Sequence, residues 1–198
     1  MGEDRLSRQI SFVLEVDRLK NVLRRTYLVD GGRRENSAEH SWHVALMAML
    51  LAEHANEPVD LLRVLQMLLV HDIVEVDAGD TYCYDPHGET DKEAREKQAA
   101  DRLFGMLPPD QGKYFRALWE EFDARRTPES RLANSCDRLL PVMHNYYSGG
   151  ISWKEHGIRS AQVYERNGCI AEGSAALWEV AAELIRKGES EKLLRPGE

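Results

Sequence analysis

An adjacent histidine and aspartate, His71-Asp72, directly follow an apolar run of the chain, residues 65–70. Unpaired polar groups beside such a run would be costly to bury. A neutral imidazole nitrogen and an ionised carboxylate oxygen suit a divalent metal, provided that other parts of the chain supply further ligands. The alternative is a His-Asp pair that closes a helix end and binds nothing. A two-residue motif alone does not decide between these interpretations.

Three residues elsewhere in the chain could complete a metal site with this doublet. His40 and His43 are one turn apart on a predicted helix, so the spacing allows either or both to reach a common site. Asp137 stands among the apolar residues of a later predicted helix and needs a partner there, either a metal ion or simply Arg138. Two histidines and two aspartates would provide nitrogen and oxygen ligands for one divalent ion.

Further charged residues favour catalysis over a purely structural metal site. If the helix continues past the doublet, Glu75 lies one turn beyond Asp72 on the same face, a spacing that suits a ligand or a general acid or base. The segment 24–37 carries four arginines and two glycines without periodicity, which predicts a loop. This loop is either a solvated surface or an anion clamp, since the guanidinium fork matches phosphate oxygens.

The elements that must position these residues are predicted to be helices, because apolar residues recur at three- and four-residue steps. The predicted helices cover Arg5 to Leu23, Ala38 to His54 with Ser37 as N-cap, Pro58 to the doublet and beyond, Asp91 to Met106, a segment through Phe115 and Phe122, a segment opened by Thr127-Pro128-Glu129, Trp153 to Arg166, and Ser174 to Arg186. No stretch shows convincing strand alternation. We therefore predict an all-α bundle of about seven helices.

The loops and the end of the chain complete this prediction. Ala78-Gly79-Asp80 ends the third helix, and the loop that follows is expected to form one wall of a pocket. This loop runs through Gly88 and contains Tyr82, Tyr84, Pro86 and His87. No linker divides the chain, so we expect one domain over residues 1–198, with residues 190–198 frayed.

Composition limits the classes of function. The chain has 198 residues, of which 42% are hydrophobic and 30% charged, and a formal net charge of −8. This charge argues against a long nucleic acid duplex as partner but allows a small anionic ligand, given local positive charge. The three cysteines have no CxxC spacing, so neither a disulfide framework nor a cysteine zinc site is predicted. With no secretory signal or membrane-spanning run in the sequence, we expect a cytoplasmic protein.

The order of the candidate ligands resembles the HD-domain metal-dependent phosphohydrolases, whose pattern is a histidine, an adjacent His-Asp pair and a distant aspartate. His40, His71-Asp72 and Asp137 match it in order. The stretches that are similar to the 5'-deoxynucleotidase branch are residues 35–41 (ENSAEHS), 71–75 (HDIVE) and 79–80 (GD). The similarity extends from Arg25 to about Asn145. It implies an all-α, commonly dimeric enzyme that dephosphorylates deoxyribonucleoside 5'-monophosphates.

The resemblance also implies roles for individual residues. It gives His40, His71, Asp72 and Asp137 as ligands of one divalent ion, which could be manganese, cobalt, magnesium, zinc, iron or nickel. It gives Glu75 as the essential acid, Asp80 as a second functional carboxylate, and Arg25, with Arg33 or Arg34 beside it, as the group that holds the substrate phosphate. Thr26 stands where some members have an aromatic residue, which leaves the base and sugar contacts of this segment open.

Several alternatives remain at this point. The resemblance favours His40 over His43 as ligand, and His43, His87, His144 and His156 are then expected to be packed or hydrogen-bonded. Of these, His144 is the strongest exception, because it lies two turns beyond Asp137 on the same face. The activity could also be that of an HD-type phosphodiesterase, or of a phosphatase on another small phosphorylated metabolite. A helical binding module with a structural metal site is the non-enzymatic alternative.

Overall fold

The computed structural model describes residues 4–85, 88 and 90–197, and it is built mainly of α-helices. The helices are α1 (Arg5–Val16), α2 (Ser37–Leu51), α3 (Leu61–Val70), α4 (Glu75–Ala78), α5 (Lys92–Met106), α6 (Pro109–Ala124), α7 (Pro128–Tyr147), α8 (Ile151–His156), α9 (Ser160–Asn167), α10 (Ile170–Gly173) and α11 (Ala175–Ser190). Short 3-10 helices follow α1 at Asp17–Asn21 and α2 at Ala52–His54. The predicted all-α class is confirmed. Pro86 and His87 lie outside the described residues.

A small antiparallel hairpin corrects the predicted loop over 24–37. Its strands are β1 (Leu23–Tyr27) and β2 (Arg34–Asn36), with Leu23 opposite Asn36 and Tyr27 opposite Arg34. The register is irregular between these two pairs. Strands of five and three residues are too short to show the period-2 alternation by which strands are predicted. The first helix is correspondingly shorter than predicted, since α1 ends at Val16 and a 3-10 turn leads into β1.

The N-terminus of α2 is capped by Asn36 rather than by Ser37. The Asn36 side chain accepts a hydrogen bond from Glu39 N at 3.0 Å, and the Glu39 carboxylate accepts one from Asn36 N at 2.8 Å. This reciprocal pair is a capping box, which satisfies two backbone donors at once. The Ser37 hydroxyl is therefore free to point elsewhere, and it donates to Glu75 Oε2 at 2.5 Å.

The predicted third helix is interrupted at the doublet. α3 ends at Val70, residues 71–74 form turns, and Glu75 begins the short helix α4. The spacing predicted that Asp72 and Glu75 would share a face if the helix continued past the doublet. Because the helix is interrupted, they do not lie on one continuous helix. Gly79, with φ of +73°, ends α4 in a backbone region that favours glycine.

The C-terminal third differs from the prediction in two ways. The predicted helix 153–166 is divided into α8 and α9 by Gly157, whose φ is +63°. The described residues after α11, 191–197, pack on the rest of the chain instead of fraying as predicted: Leu194 is buried, Arg195 N donates to Ile158 O at 3.0 Å, and Ser160 N donates to Arg195 O at 2.9 Å. These contacts connect the end of the chain to the start of α9.

The long helix α7 runs through the middle of the core and packs against α2, α3, α6, α10 and α11. Its N-terminus is the predicted one, with Thr127 as cap in a reciprocal pair with Ser130 and Pro128 in the first turn. The buried residues that it contributes to the larger core cluster are Leu132, Ala133, Cys136, Leu139 and Leu140. Because α2, α3 and α7 pack on one another, polar residues at their facing positions are brought together. No helix in the described part of the chain is long and apolar enough to cross a membrane.

Candidate metal centre

The four residues predicted to bind metal lie together where α2, the end of α3 and α7 meet. His40 Nε2 is 2.9 Å from Asp137 Oδ1, and His71 Nε2 is 3.1 Å from Asp72 Oδ1 and 3.5 Å from Asp137 Oδ1. One ligand atom from each of His40, His71 and Asp72 lies within 4.8 Å of the others. His40, His71 and Asp72 are buried, with at most 7% of each residue exposed. We name these four residues the HD cluster.

The hydrogen bonds of the two histidines fix which ring nitrogen can bind a metal. His71 Nδ1 lies 2.8 Å from Leu68 O, which can only accept, so Nδ1 carries the proton and donates. His40 Nδ1 is likewise 3.1 Å from Glu35 Oε2. Although burial opposes it, the carboxylates around the two rings raise the pKa of both histidines, that of His40 to about 9, so a metal must displace a proton from them. In the neutral form that binds a metal, each imidazole would direct the lone pair of Nε2 toward carboxylate oxygens. His71 Nε2 is buried and has no hydrogen-bond partner among the described residues. A divalent cation between these lone pairs and carboxylates fits this arrangement.

The charges around the HD cluster also fit a cation. Burial raises the pKa of Glu75 well above its usual value, and the nearby Asp72 carboxylate raises it further. Burial similarly raises the pKa of Asp80. Burial opposes ionisation of Asp137 too, but the neighbouring His40 and His71 side chains hold the pKa of that carboxyl well below its usual range. Buried carboxylates so close together call for nearby positive charge.

Arg24 lies inside this acidic group, although the sequence analysis assigns it no role of its own. Its Nη1 donates to Asp72 Oδ2 at 2.9 Å and is 3.8 Å from Asp80 Oδ1 and 3.9 Å from Glu75 Oε1. Only 13% of its side chain is exposed. Recognition of strand β1 in the sequence would have separated Arg24 from Arg25, because neighbouring residues of a strand point to opposite sides. Arg24 is thus the arginine nearest to the predicted ligands.

The other arginines of the hairpin are placed differently. Arg25 lines the same cavity as the HD cluster, as its predicted role requires. Arg33 is exposed and pairs with Glu39 at 2.6 Å. Arg34 lies over the ring of Tyr27, 3.9 Å from a carboxylate oxygen of Glu155. Neither Arg33 nor Arg34 is among the residues that line the cavity, so the structure does not bring them to the predicted site.

A cavity of about 330 Å³ opens over the HD cluster. On one side it is lined by His71, Asp72 and Asp137 together with Glu75, Asp80 and Arg24. Its other walls include Tyr82 and Tyr84, which confirms that the loop after α4 forms one wall. Trp153, Asn145, Arg138 and Arg166 also line the cavity. The arrangement can hold a cation and an anionic group beside the HD cluster, and it includes further lining residues that can contact a larger organic group.

Comparison with known proteins places the chain in a family. The family model that matches is that of the HD domain, over residues 16–178. This match covers most of the chain.

The chain belongs to the HD domain family.

The relatives of this HD domain include named enzymes. A Danio rerio protein named 5'-deoxynucleotidase HDDC2 is 27% identical over 144 residues, which are 71% of this chain and 70% of that protein. The Homo sapiens protein of the same name is 28% identical over 68% of this chain and 65% of its own length. The Photorhabdus laumondii 5'-deoxynucleotidase plu3092 is 30% identical over 67% of this chain and 70% of its own length. The chain thus spans about two thirds of these curated relatives.

A solved structure supports the same placement more strongly. A protein of Magnetospirillum magnetotacticum MS-1, described as a predicted metal-dependent phosphohydrolase, superposes with a TM-score of 0.93. It is 51% identical, and the match covers 97% of this chain and 96% of that one. A conserved hypothetical protein of Pyrococcus furiosus superposes with a TM-score of 0.64 at 22% identity, which shows the shared fold only. The HD-domain fold is therefore common to proteins with little remaining sequence identity.

Proposed function

We propose that this HD domain is a metal-dependent phosphohydrolase that removes the phosphate from nucleoside 5'-monophosphates, deoxyribonucleotides in particular. The observation that carries the proposal is the position of the HD cluster at one end of a cavity that also contains Glu75, Asp80, Arg24 and Arg25. A purely structural metal site would not need these four residues. The names of the relatives, 5'-deoxynucleotidase and metal-dependent phosphohydrolase, support the same reaction.

The residues of the HD cluster would hold one divalent ion. When bound, that ion lowers the pKa of a coordinated water and neutralises the charge that develops on the phosphate. Glu75 lies at the same end of the cavity, held by the Ser37 hydroxyl, and can orient or deprotonate the attacking water. Asp80 contacts the leaving 5'-oxygen or the sugar. Arg24 and Arg25 supply the fixed positive charge that pairs with phosphate oxygens.

The cavity lining outside the HD cluster is suited to the remainder of a nucleotide. The aromatic side chains of Tyr82, Tyr84 and Trp153 form part of it. Trp153 Nε1 and Asn145 Oδ1 are buried and have no hydrogen-bond partner in the described part of the chain. An unpaired donor and an unpaired acceptor can form hydrogen bonds with the polar edge of a sugar or base. Such hydrogen bonds discriminate strongly against substrates that lack the matching group. We propose that these two atoms contact the nucleoside.

Phosphate release from a panel of substrates tests this proposal. The purified protein is incubated with each deoxyribo- and ribonucleoside 5'-monophosphate, separately with manganese, cobalt, magnesium, zinc, iron and nickel ions. A 3'-monophosphate and a phosphodiester are included, and an Asp137→Asn variant controls for contaminating phosphatase. We expect the parent to release phosphate from 5'-monophosphates and the Asp137→Asn variant to release none. Preference for the diester would favour the phosphodiesterase alternative, and no release from any substrate would favour a binding module.

We also propose that the protein is a homodimer. Four large apolar residues are exposed along one side of α2, at positions i, i+4, i+7 and i+8 of the helix: Trp42, Leu46, Met49 and Leu50. A second copy of this chain would remove this stripe from water. Sedimentation equilibrium is expected to give twice the chain mass, and Leu50→Glu to shift it toward the chain mass. A parent of single-chain mass at micromolar concentration contradicts the proposal.

A cytoplasmic location remains a proposal as well. It is supported by the three cysteines, Cys83, Cys136 and Cys169, which are all free thiols in the structure. Free thiols are typical of reducing compartments. Fractionation of cells, with an antibody against this chain, tests the location.

A further inference from the structure

A second group of potential metal ligands lies next to the HD cluster. It consists of Glu35 at the middle of β2, His43 in the second turn of α2 and His144 near the end of α7, and we name it the Glu35 cluster. One ligand atom from each of these residues lies within 4.8 Å of the others. The described lining of the cavity includes none of the three. The Glu35 cluster is therefore separate from the surface that a substrate would contact.

His144 carries a buried nitrogen without a partner. Only 2% of the residue is exposed, and its Nδ1 has no hydrogen-bond partner among the described residues. Glu35 Oε1 is 3.7 Å from this nitrogen, which is too long for a hydrogen bond. Burial lowers the pKa of His144, so the imidazole is neutral, which is the form that binds metals. An unsatisfied buried polar atom destabilises the folded state, so its place in a folded core needs a reason.

Glu35 and His43 face this nitrogen. Glu35 is 1% exposed, and its Oε2 accepts from His40, so Oε1 is the oxygen directed at His144. The ring centroid of His43 is 5.4 Å from that of His144 and 5.8 Å from that of the exposed Trp42. His43 is partly exposed, which gives an ion a path from solvent.

We propose that Glu35, His43 and His144 bind a second divalent transition-metal ion, distinct from the ion of the HD cluster. Two imidazoles and one carboxylate form a ligand set that zinc, cobalt, nickel and iron accept, with a water molecule in the remaining position. Ligands at about 2.0–2.1 Å from one tetrahedral zinc ion lie about 3.3–3.4 Å apart. The ligand atoms of the Glu35 cluster lie within 4.8 Å of one another, so the side chains need to approach by up to about 1.5 Å when the ion binds.

The shared carboxylate connects the two sites. Glu35 uses one oxygen to hold His40 Nδ1 and would use the other to bind the second ion. An ion on Oε1 fixes the carboxylate, and through it the orientation and tautomer of His40. Mutation of a residue that hydrogen-bonds to a metal ligand typically lowers the affinity for the metal by about 10- to 100-fold. We therefore expect loss of the second ion to weaken binding at the HD cluster by about 10-fold.

The metal content of the protein tests the proposal. The parent chain is loaded with cobalt or zinc ions, desalted, and analysed by inductively coupled plasma mass spectrometry. We expect two ions per chain for the parent and for His54→Ala, a matched control that removes an exposed histidine after α2. His144→Ala and Asp72→Ala are each expected to keep one ion. Titration of His144→Ala with cobalt should show the weaker affinity of the remaining site.

Anomalous scattering from crystals of the cobalt-loaded parent locates the ions directly. A peak within bonding distance of His43 and His144, in addition to one at the HD cluster, is the expected result. One ion per chain with no peak at the Glu35 cluster overturns the proposal, as does a His144→Ala variant that still binds two. If His144→Ala does not fold, the metal content of His43→Ala and the anomalous map of the parent crystal test the second site instead. These results do not depend on phosphate release, so they separate this inference from the proposed activity.

Discussion

At the scale of single residues, the turn after α3 explains how adjacent side chains bring two unlike ligands to one point. α3 ends at Val70, and the turn over 71–74 places His71 Nε2 at 3.1 Å from Asp72 Oδ1. In a continuous helix, neighbouring side chains point about 100° apart and would diverge. Asp137 then reaches both His40 and His71 from α7. The HD cluster thus depends on the end of a helix as much as on the residues themselves.

Removal of one ligand should remove the ion. We expect Asp72→Ala to lose the metal of the HD cluster, because a carboxylate ligand is lost and Arg24 is left without its ion pair at 2.9 Å. Metal content measured after desalting checks this expectation. Asp123→Ala is the control, since Asp123 lines the cavity outside the cluster. Equal metal content in Asp72→Ala and the parent would remove Asp72 from the ligand set.

Glu75 should be needed for the reaction but not for the metal. Glu75→Ala is expected to fold and to keep its ion, while phosphate release falls by about 10²- to 10⁴-fold, the usual contribution of a general acid or base. Glu96→Ala, which also removes a carboxylate from the cavity wall, should retain activity. Full turnover by Glu75→Ala would exclude Glu75 from the mechanism.

The arginines of the hairpin make a matched pair for mutation. Arg24→Ala should lower kcat/KM for a nucleoside monophosphate by about 10-fold or more, because charge-assisted hydrogen bonds to the phosphate are lost. Arg33→Ala should leave it unchanged, since Arg33 is exposed and pairs with Glu39. Steady-state kinetics at saturating metal distinguishes the two. Similar losses in both variants would contradict the placement of these side chains.

Spacing along the chain predicted a group made of the doublet, Asp137 and either His40 or His43, and the resemblance to the HD-domain pattern favoured His40. The structure brings His40, the doublet and Asp137 together. The sequence could not separate Arg24 from Arg25, because the direction of each side chain depends on the register of a short strand. It also could not find Glu35, whose role depends on contacts with His40 and His144 from two different helices.

At the scale of elements, the helices with strong end signals were predicted well. Thr127 and Pro128 identified the start of α7, because a cap and a proline in the first turn have local causes. The start of α2 was displaced by one residue, since Asn36 and Ser37 are both good caps and only the Glu39 contact distinguishes them. The hairpin was missed because strands of five and three residues carry little signal.

Close packing of α10 on α7 gives a testable stability difference. A Cβ on Gly173 would overlap Arg131 O and Ser135 Oγ, whereas a Cβ on Gly105 in α5 would meet no atom within 4 Å. Gly173→Ala should therefore lower the free energy of unfolding by about 1–3 kcal/mol. Gly105→Ala should raise it by up to about 1 kcal/mol, because alanine has the higher helix propensity. Urea unfolding of both variants checks this, and equal stabilities would contradict the packing.

At the scale of the whole molecule, the HD cluster lies at the contact of helices that are distant in sequence. The larger core cluster includes buried residues from Phe12 to Ala181, and the family model spans residues 16–178. We infer that residues 1–198 form one domain, for which a single calorimetric unfolding transition is the expected observation. Composition predicted this size class, but it carried no information on how the C-terminal residues pack.

Removal of the metal should destabilise the whole domain. Without a cation, the positive charge of Arg24 is shared by five acidic side chains: Glu35, Asp72, Glu75, Asp80 and Asp137. An ion present at 100 times its dissociation constant stabilises the folded state by about 2.7 kcal/mol. For a chain of this size, that loss corresponds to a fall in Tm of about 5–10 °C. Differential scanning calorimetry with and without a chelator measures it.

The matched control for this experiment is Asp72→Ala. This variant is expected to lack the ion of the HD cluster before chelation, so the chelator should lower its Tm by less than it lowers that of the parent. An unchanged Tm in the parent would mean that the carboxylates of the site are balanced by protonation instead. The raised pKa of Glu75 and Asp80 makes protonation the competing way to reduce their repulsion. A cation bound beside these two carboxyls favours their ionised forms, so the stabilisation by metal should grow as pH rises through the pKa values of these two groups.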